Sequence, residues 1–179
     1  MTAHTQTPAH PGLPTDKLVL ADGMRLRFRD IDSRDRDGFA AFFYRLSPAS
    51  RLSRFLSPKR ELTPRELDYF TDVDQFHHVA IATVEESDGS IVAISRYVAH
   101  PDGPTGRAEL ALEVADELQA EGIGTALAHR MVQRARTNGF NGLTATISRE
   151  NQSARRLLQG LRFNGRASRG TIEYELELT

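Results

Sequence analysis

Val114-Ala115-Asp116-Glu117-Leu118-Gln119-Ala120-Glu121-Gly122-Ile123-Gly124-Thr125-Ala126-Leu127 is the stretch on which the reading of this chain turns. Arg107 to Ala115 has the pattern of a strand, which ends at Val114. Ile123, Leu127, Met131 and Ala135 then form a helical stripe that runs to Asn138, where Gly139 stops it. Between them stands Gln-x-x-Gly-x-Gly, so the helix opens directly on two glycines. A helix N-terminus presents N–H groups without intrahelical partners and the positive end of its dipole, which together suit a pyrophosphate. Gly122 and Gly124 carry no Cβ, so an anion can approach the backbone closely. Two glycines alone are equally compatible with a plain turn into a helix. A P-loop would need Gly-Lys-Ser/Thr, and no lysine follows Lys59. A dinucleotide fold would need a third spaced glycine near the chain start, whereas at least three strands precede this turn.

Outward from that turn, strands and helices alternate. Arg25 to Arg29 alternates strictly and reads as a half-buried strand. Ser33 to Leu46 reads as a helix, with Phe39, Phe42, Phe43 and Leu46 at helical spacing and Ser33 as its cap. Ser47-Pro48 starts a short helix to Leu56, and Thr63-Pro64-Arg65-Glu66 supplies a capping box for a helix through Phe70. His78 to Val84 and Ile91 to Ala99 are β-branched runs joined by a hairpin loop, and Pro101 to Gly106 is a turn cluster. Leu143 to Ile147 reads as a strand, Ser153 to Gln159 as a short helix ended by Gly160, and Thr171 to Leu178 as an alternating last strand. This order predicts a single sheet of α/β or α+β class, with a parallel, right-handed β-α-β unit over residues 107 to 148. Residues 1 to 16 hold three of the eight prolines and few apolar side chains, so a mobile tail is expected ahead of one domain over 17 to 179.

Composition narrows the function classes. A chain of 179 residues is the size of one domain and buries about 70% of the surface its unfolded form exposes. No run approaches the roughly 18 uncharged apolar residues of a membrane span, and the N-terminus lacks a secretory layout. Without cysteine there is no disulfide, thiolate metal site or Cys nucleophile, so the expected compartment is the cytoplasm. A net charge of -1 argues against a dedicated nucleic-acid binder. No metal is expected either: His77-His78 lacks further ligands at suitable spacing and reads as a surface pair.

With its flanks, the turn becomes specific. Glu109-Leu-Ala-Leu-Glu-Val114 through Gln119-Ala-Glu-Gly122-Ile-Gly124-Thr resembles motif A of the GNAT superfamily of acetyl-CoA-dependent N-acetyltransferases. Ile147-Ser-Arg-Glu-Asn151-Gln-Ser-Ala154-Arg-Arg-Leu157-Leu158 resembles motif B. The order of elements over residues 24 to 178 matches as well. Leu46-Ser-Pro-Ala-Ser50-Arg51-Leu-Ser-Arg54-Phe55 and Leu62-Thr-Pro-Arg-Glu-Leu67 are similar to the catalytic domain of Pat-type bacterial protein lysine acetyltransferases. Those usually carry a regulatory domain for which this chain has no room. The resemblance implies a mixed, mostly antiparallel sheet of six to seven strands flanked by about four helices, with acetyl-CoA as cosubstrate. It implies that Val114 pairs with the pantetheine arm, that Gln119, Ala120, Glu121, Gly122, Ile123, Gly124 and Thr125 wrap the pyrophosphate, and that Asn151 lies at the edge of the same site. Asn151 also reads as a helix N-cap. Among the arginines around motif B, Arg155 is the candidate for the adenosine phosphates.

Acetyl transfer needs a neutral amine, and an amine of pKa about 10.4 is protonated at pH 7, so a base must take the proton. Glu109 matches the general-base position of Pat-like enzymes, with a strand-edge ion pair as its alternative reading. Glu113, on the same face of the strand, is the second candidate. The tyrosine that protonates the departing thiolate in many relatives is replaced by Leu158, so no acid is assigned. Tyr97 and Tyr174 read as packing residues. The expected reaction is direct attack in a ternary complex on a primary amine, with a protein lysine as preferred acceptor. A small amine acceptor and a catalytically silent acyl-CoA sensor are the rivals. The expected assembly is a monomer or homodimer.

Overall fold

The computed structural model describes residues 16–100 and 106–178. The expected N-terminal tail and most of the Pro101 to Gly106 turn lie outside the described residues. The remainder forms one eight-stranded sheet from β1 (Lys17–Val19), β2 (Arg25–Asp30), β3 (His78–Glu85), β4 (Ile91–Ala99), β5 (Arg107–Val114), β6 (Gly142–Ser148), β7 (Asn164–Ala167) and β8 (Thr171–Glu177). Their spatial order is β1-β2-β3-β4-β5-β6-β8-β7. Only β5 and β6 run parallel; the six other neighbouring pairs are antiparallel. Five α-helices flank the sheet: α1 (Arg36–Arg45), α2 (Pro48–Phe55), α3 (Pro64–Thr71), α4 (Ile123–Thr137) and α5 (Gln152–Gly160). The sheet is thus larger than the expected six to seven strands. The additions are β1, with three residues, and β7, whose four residues are all exposed. Neither carries the apolar alternation that marks a strand, and tertiary pairing alone defines them.

Each face of the sheet buries its own helices. On one face Leu26, Phe28, Val79 and Ile81 pack with Ile123, Leu127, Met131 and Ala135 of α4 and Leu158 of α5. On the other, Phe39, Phe42 and Phe43 of α1 pack on Ala80, Ala82, Val84 and Ile94. Each phenylalanine buried in this way is worth about 1.5–3 kcal/mol. The cap of the first helical segment lies one residue earlier than expected. Asp32 accepts from Arg34 N and forms a capping box with Asp35 over a 3-10 turn, Ser33–Asp35, that precedes α1. Ser47 and Thr63 cap α2 and α3 as their Ser-Pro and Thr-Pro pairs predict. Among the described residues no helix is long and apolar enough to cross a membrane.

Candidate active site

The parallel pair is where the sheet opens. β5 and β6 pair only at Arg107↔Gly142, Ala108↔Leu143 and Glu109↔Thr144, although both continue beyond those residues. Past Glu109 the two strands part and leave a notch. Ala115 N donates to Val92 O and His100 N to Arg107 O, so odd-numbered residues of β5 turn their backbone groups towards β4. By the two-residue period of a strand, Leu110, Leu112 and Val114 present theirs to the notch. Such an edge accepts an extended amide-bearing chain as an added strand. The Val114 carbonyl meanwhile accepts from Gln119 Nε2 at 3.3 Å, and the same nitrogen reaches Ser50 Oγ at 3.4 Å.

Across the mouth of the notch stands the N-terminus of α4. Its N-cap, Gly122, has φ 83, a left-handed conformation that glycine adopts without penalty, and no side chain caps the helix. Ala126 N makes the first bond back, to Gly122 O. The amides of Ile123, Gly124 and Thr125 therefore point outward together and suit a pyrophosphate. Ala120, with φ 69, holds a left-handed conformation that costs an L-residue about 1–2 kcal/mol. These donors and the free β5 edge are the features a CoA thioester needs, so the chain fits that cosubstrate.

One cleft of about 1070 Å³ joins the notch to the wall formed by α2 and α3. Of the residues singled out in the sequence, Glu109, Glu113, Val114, Gln119, Ala120, Gly122, Gly124, Thr125 and Asn151 line it. Ile123 has its side chain in the core at 1% exposure, and Glu121 is exposed outside the cleft. Asn151 does cap α5, accepting from Ala154 N at 3.0 Å, and also faces the cleft. Arg155 is placed elsewhere. It lines a separate cavity of about 290 Å³ between α5 and the β7–β8 pair, together with Tyr174. Arg155 lies about 160° around the helix from Leu157, which faces the cleft. Arg156 faces the cleft instead, three residues on from Ser153, which lines it too.

The two candidate glutamates live in different surroundings. Glu109 is exposed, opposite Val98 on β4 and Thr144 on β6, at the last paired position before the strands part. Glu113 is buried and accepts from Arg54 Nε at 2.5 Å, with side chains only 6% and 14% exposed. Beside this pair Arg96 is 2% exposed and lies across from Ala111. Its Nη1 donates to Phe70 O at 3.2 Å and to His78 Nε2 at 3.1 Å, and its guanidinium lies over the rings of Phe39 and Phe70. Burial lowers its pKa to about 10, against the opposing pull of Glu113. Burial, then the charge of Arg96, lowers His78 to about 4, so His78 is a neutral acceptor. It is half-buried, which corrects the expected surface pair; only His77 is exposed, and it contacts Asp74.

Tyr97 and Tyr174 do not line the cleft. Tyr97 donates from its hydroxyl to Phe76 O and accepts from Asn138 Nδ2, and burial pushes its pKa up to about 12. Leu158, 4% exposed, lies in the cleft wall. Among the described residues no group of three His, Asp or Glu side chains is placed to hold a metal ion.

Comparison with known proteins agrees with this architecture. The chain is 34% identical over 148 residues to acetyltransferase PA5475 of Pseudomonas aeruginosa, covering 82% of this chain and 78% of that one. It is 28% identical over 110 residues to acetyltransferase Pat of Mycolicibacterium smegmatis, covering 62% of this chain and 33% of Pat, so it spans about a third of that relative's length. The GNAT domain of S. lividans PAT superposes with a TM-score of 0.82 at 24% identity, over 90% of this chain and 95% of that domain. yncA of Salmonella typhimurium, a putative acetyltransferase solved with its cofactor acetyl-CoA, superposes at 0.71 with 18% identity, over 86% and 94%. The acetyltransferase (GNAT) family profile matches residues 41–163, which spans the notch, the helix N-terminus and the cleft, and the chain belongs to that family.

Proposed function

We propose that this protein transfers the acetyl group of acetyl-CoA to a primary amine, with a protein lysine as preferred acceptor and Glu109 as general base. The carrying observation is the convergence in one cleft of the free β5 edge, the uncapped α4 N-terminus and a carboxylate with no ion pair among the described residues at the point where β5 and β6 part. The pantetheine arm lies along Leu112 and Val114 and displaces the Gln119 side chain. The pyrophosphate sits on the amides of α4. Backbone N–H groups of the β5 edge polarise the thioester carbonyl. The amine loses its proton to Glu109, directly or through water, and attacks; the C–S bond breaks, and the thiolate takes its proton from water. With a thiol pKa of about 8.5, the leaving group needs no tyrosine.

The lysine acceptor rests on the likeness of α2 and α3 to Pat-type enzymes. The same reading places the protein in the cytoplasm, without metal, nucleic acid or membrane, as a monomer or homodimer. Calorimetry with acetyl-CoA and a thiol-release assay on lysine peptides test it. Saturable binding with peptide-dependent thiol release is expected. Binding without release on lysine peptides would overturn the lysine assignment, and binding without release on any amine would identify a non-catalytic acyl-CoA sensor.

A further inference from the structure

The acceptor end of the cleft carries a buried positive charge that no described carboxylate pairs with directly. Arg54 and Glu113 cancel one another. Lys59 and Glu66 do the same farther along the wall, at 2.5 Å. Arg96 has no carboxylate within 4 Å among the described residues, and its Nε and Nη2 are buried with no hydrogen-bond partner. His78 accepts only the third nitrogen, and the faces of Phe39 and Phe70 compensate the charge in part. A buried cation without a counter-ion costs several kcal/mol, and a bound anion removes that cost.

Position decides which anion. Arg96 on β4 lies level with Ala111 of β5, which is one two-residue step of about 7 Å from Glu109 on one side and from Glu113 on the other. Arg54 approaches the same point from α2 with only its Nε engaged by Glu113. A ligand whose amine meets Glu109 thus places a group a few ångströms away beside two guanidiniums. The wall there is apolar, formed by Phe55, Leu56, Tyr69 and Phe70. An acidic residue flanking a lysine on a protein is held away from that lysine's amine by the four-carbon stem. A small molecule can enter whole, and Arg96 is part of the lining it meets.

We infer that this cleft also acetylates a free amino acid, held by its carboxylate between Arg96 and Arg54 while its amine faces Glu109. The inference rests on the acetyl-transfer reading above and adds a second acceptor class to it. The amine nitrogen bonds the acetyl carbon, the C–S bond of acetyl-CoA breaks, and N-acetyl amino acid, CoA thiol and one proton result.

The test is thiol release with a panel of free amino acids and the matching amino acid amides, which keep the amine and lack the carboxylate. Lysine peptides with and without flanking Asp or Glu run in parallel. At least a tenfold higher kcat/KM for acids than for amides is expected. Arg96→Gln should raise the amino-acid KM at least tenfold and abolish the preference while acetyl-CoA affinity is unchanged. Arg54→Gln provides the second variant if Arg96→Gln does not fold. Equal rates on acids and amides, or a folded variant that keeps the preference, would overturn the inference. So would faster turnover of acid-flanked lysine peptides than of every free amino acid, which would leave the proposed function standing. No thiol release above background with any amine would sink that proposed function itself.

Discussion

Glu109 and Glu113 differ by four residues on one strand face, and the same substitution separates chemistry from architecture. Glu113→Gln removes the carboxylate from a pair whose side chains are 6% and 14% exposed and leaves Arg54 beside the buried Arg96 with no neutralising group. Breaking one side of a buried pair costs about 3–5 kcal/mol. At about 2–4 °C per kcal/mol for a domain of this size, the melting temperature should fall by on the order of 6–20 °C. Glu109 is exposed, so Glu109→Gln should stay within about 0.5 kcal/mol of the parent. Its effect belongs to the rate. At pH 7 roughly one lysine amine in a few thousand is neutral, and a positioned base is worth about 10²–10⁴. Thiol release at saturating acetyl-CoA should therefore fall at least about 100-fold at pH 7, and the deficit should narrow towards pH 10 as free amine accumulates. Calorimetry should give the parent affinity for acetyl-CoA. The assignment is refuted if Glu109→Gln retains the parent rate at pH 7, or if Glu113→Gln melts like the parent and alone loses turnover.

Gly124→Glu should abolish acetyl-CoA binding in calorimetry without unfolding the chain. A Cβ there meets only ordinary contacts, Leu112 Cδ2 at 3.6 Å being the nearest, while the added carboxylate faces the pyrophosphate site; retained binding would overturn that placement. His78, held near 4 in the fold against about 6.5 unfolded, takes up a proton on unfolding between those values. Stability should therefore fall as pH drops from about 6.5 to 4, and thermal melts of His78→Gln should lose that component of the slope. Asp116 accepts from Ser47 N, Ser47 Oγ and Ser50 Oγ at 2.7–2.9 Å and ties α2 to the turn before α4. Asp116→Ala should speed amide exchange over residues 47–55 with little change in global melting, because the site is exposed; unchanged exchange would show that Arg54 and the aromatic contacts hold α2 alone.

Local chemistry was legible wherever a residue type has one dominant use. Ser47-Pro48, Thr63-Pro64-Arg65-Glu66, the β-branched runs and Gly139 marked their elements to within a residue or two. β1 and β7 escaped because three or four residues without apolar alternation acquire strand geometry only when a neighbour supplies the ladder. The Arg54–Glu113 pair joins residues 59 positions apart, and no local pattern encodes it. Charge alone points to Arg155, whereas packing against β7 and β8 places it at the separate cavity. His78 follows a histidine that is exposed, yet strand alternation and Arg96 make it half-buried and neutral.

The sequence by itself determined that a strand runs into a glycine-opened helix and that the surrounding elements follow the order of an acetyltransferase, because strand alternation, caps and glycine conformations are written in adjacent residues. Tertiary structure alone decided that β5 and β6 pair over three positions and then part, that Glu109 remains in solvent while Glu113 is buried, and that Arg96 is left inside with no carboxylate within 4 Å among the described residues. These are properties of which distant residues meet, and the burial of two sheet faces against five helices sets them; no single segment carries them.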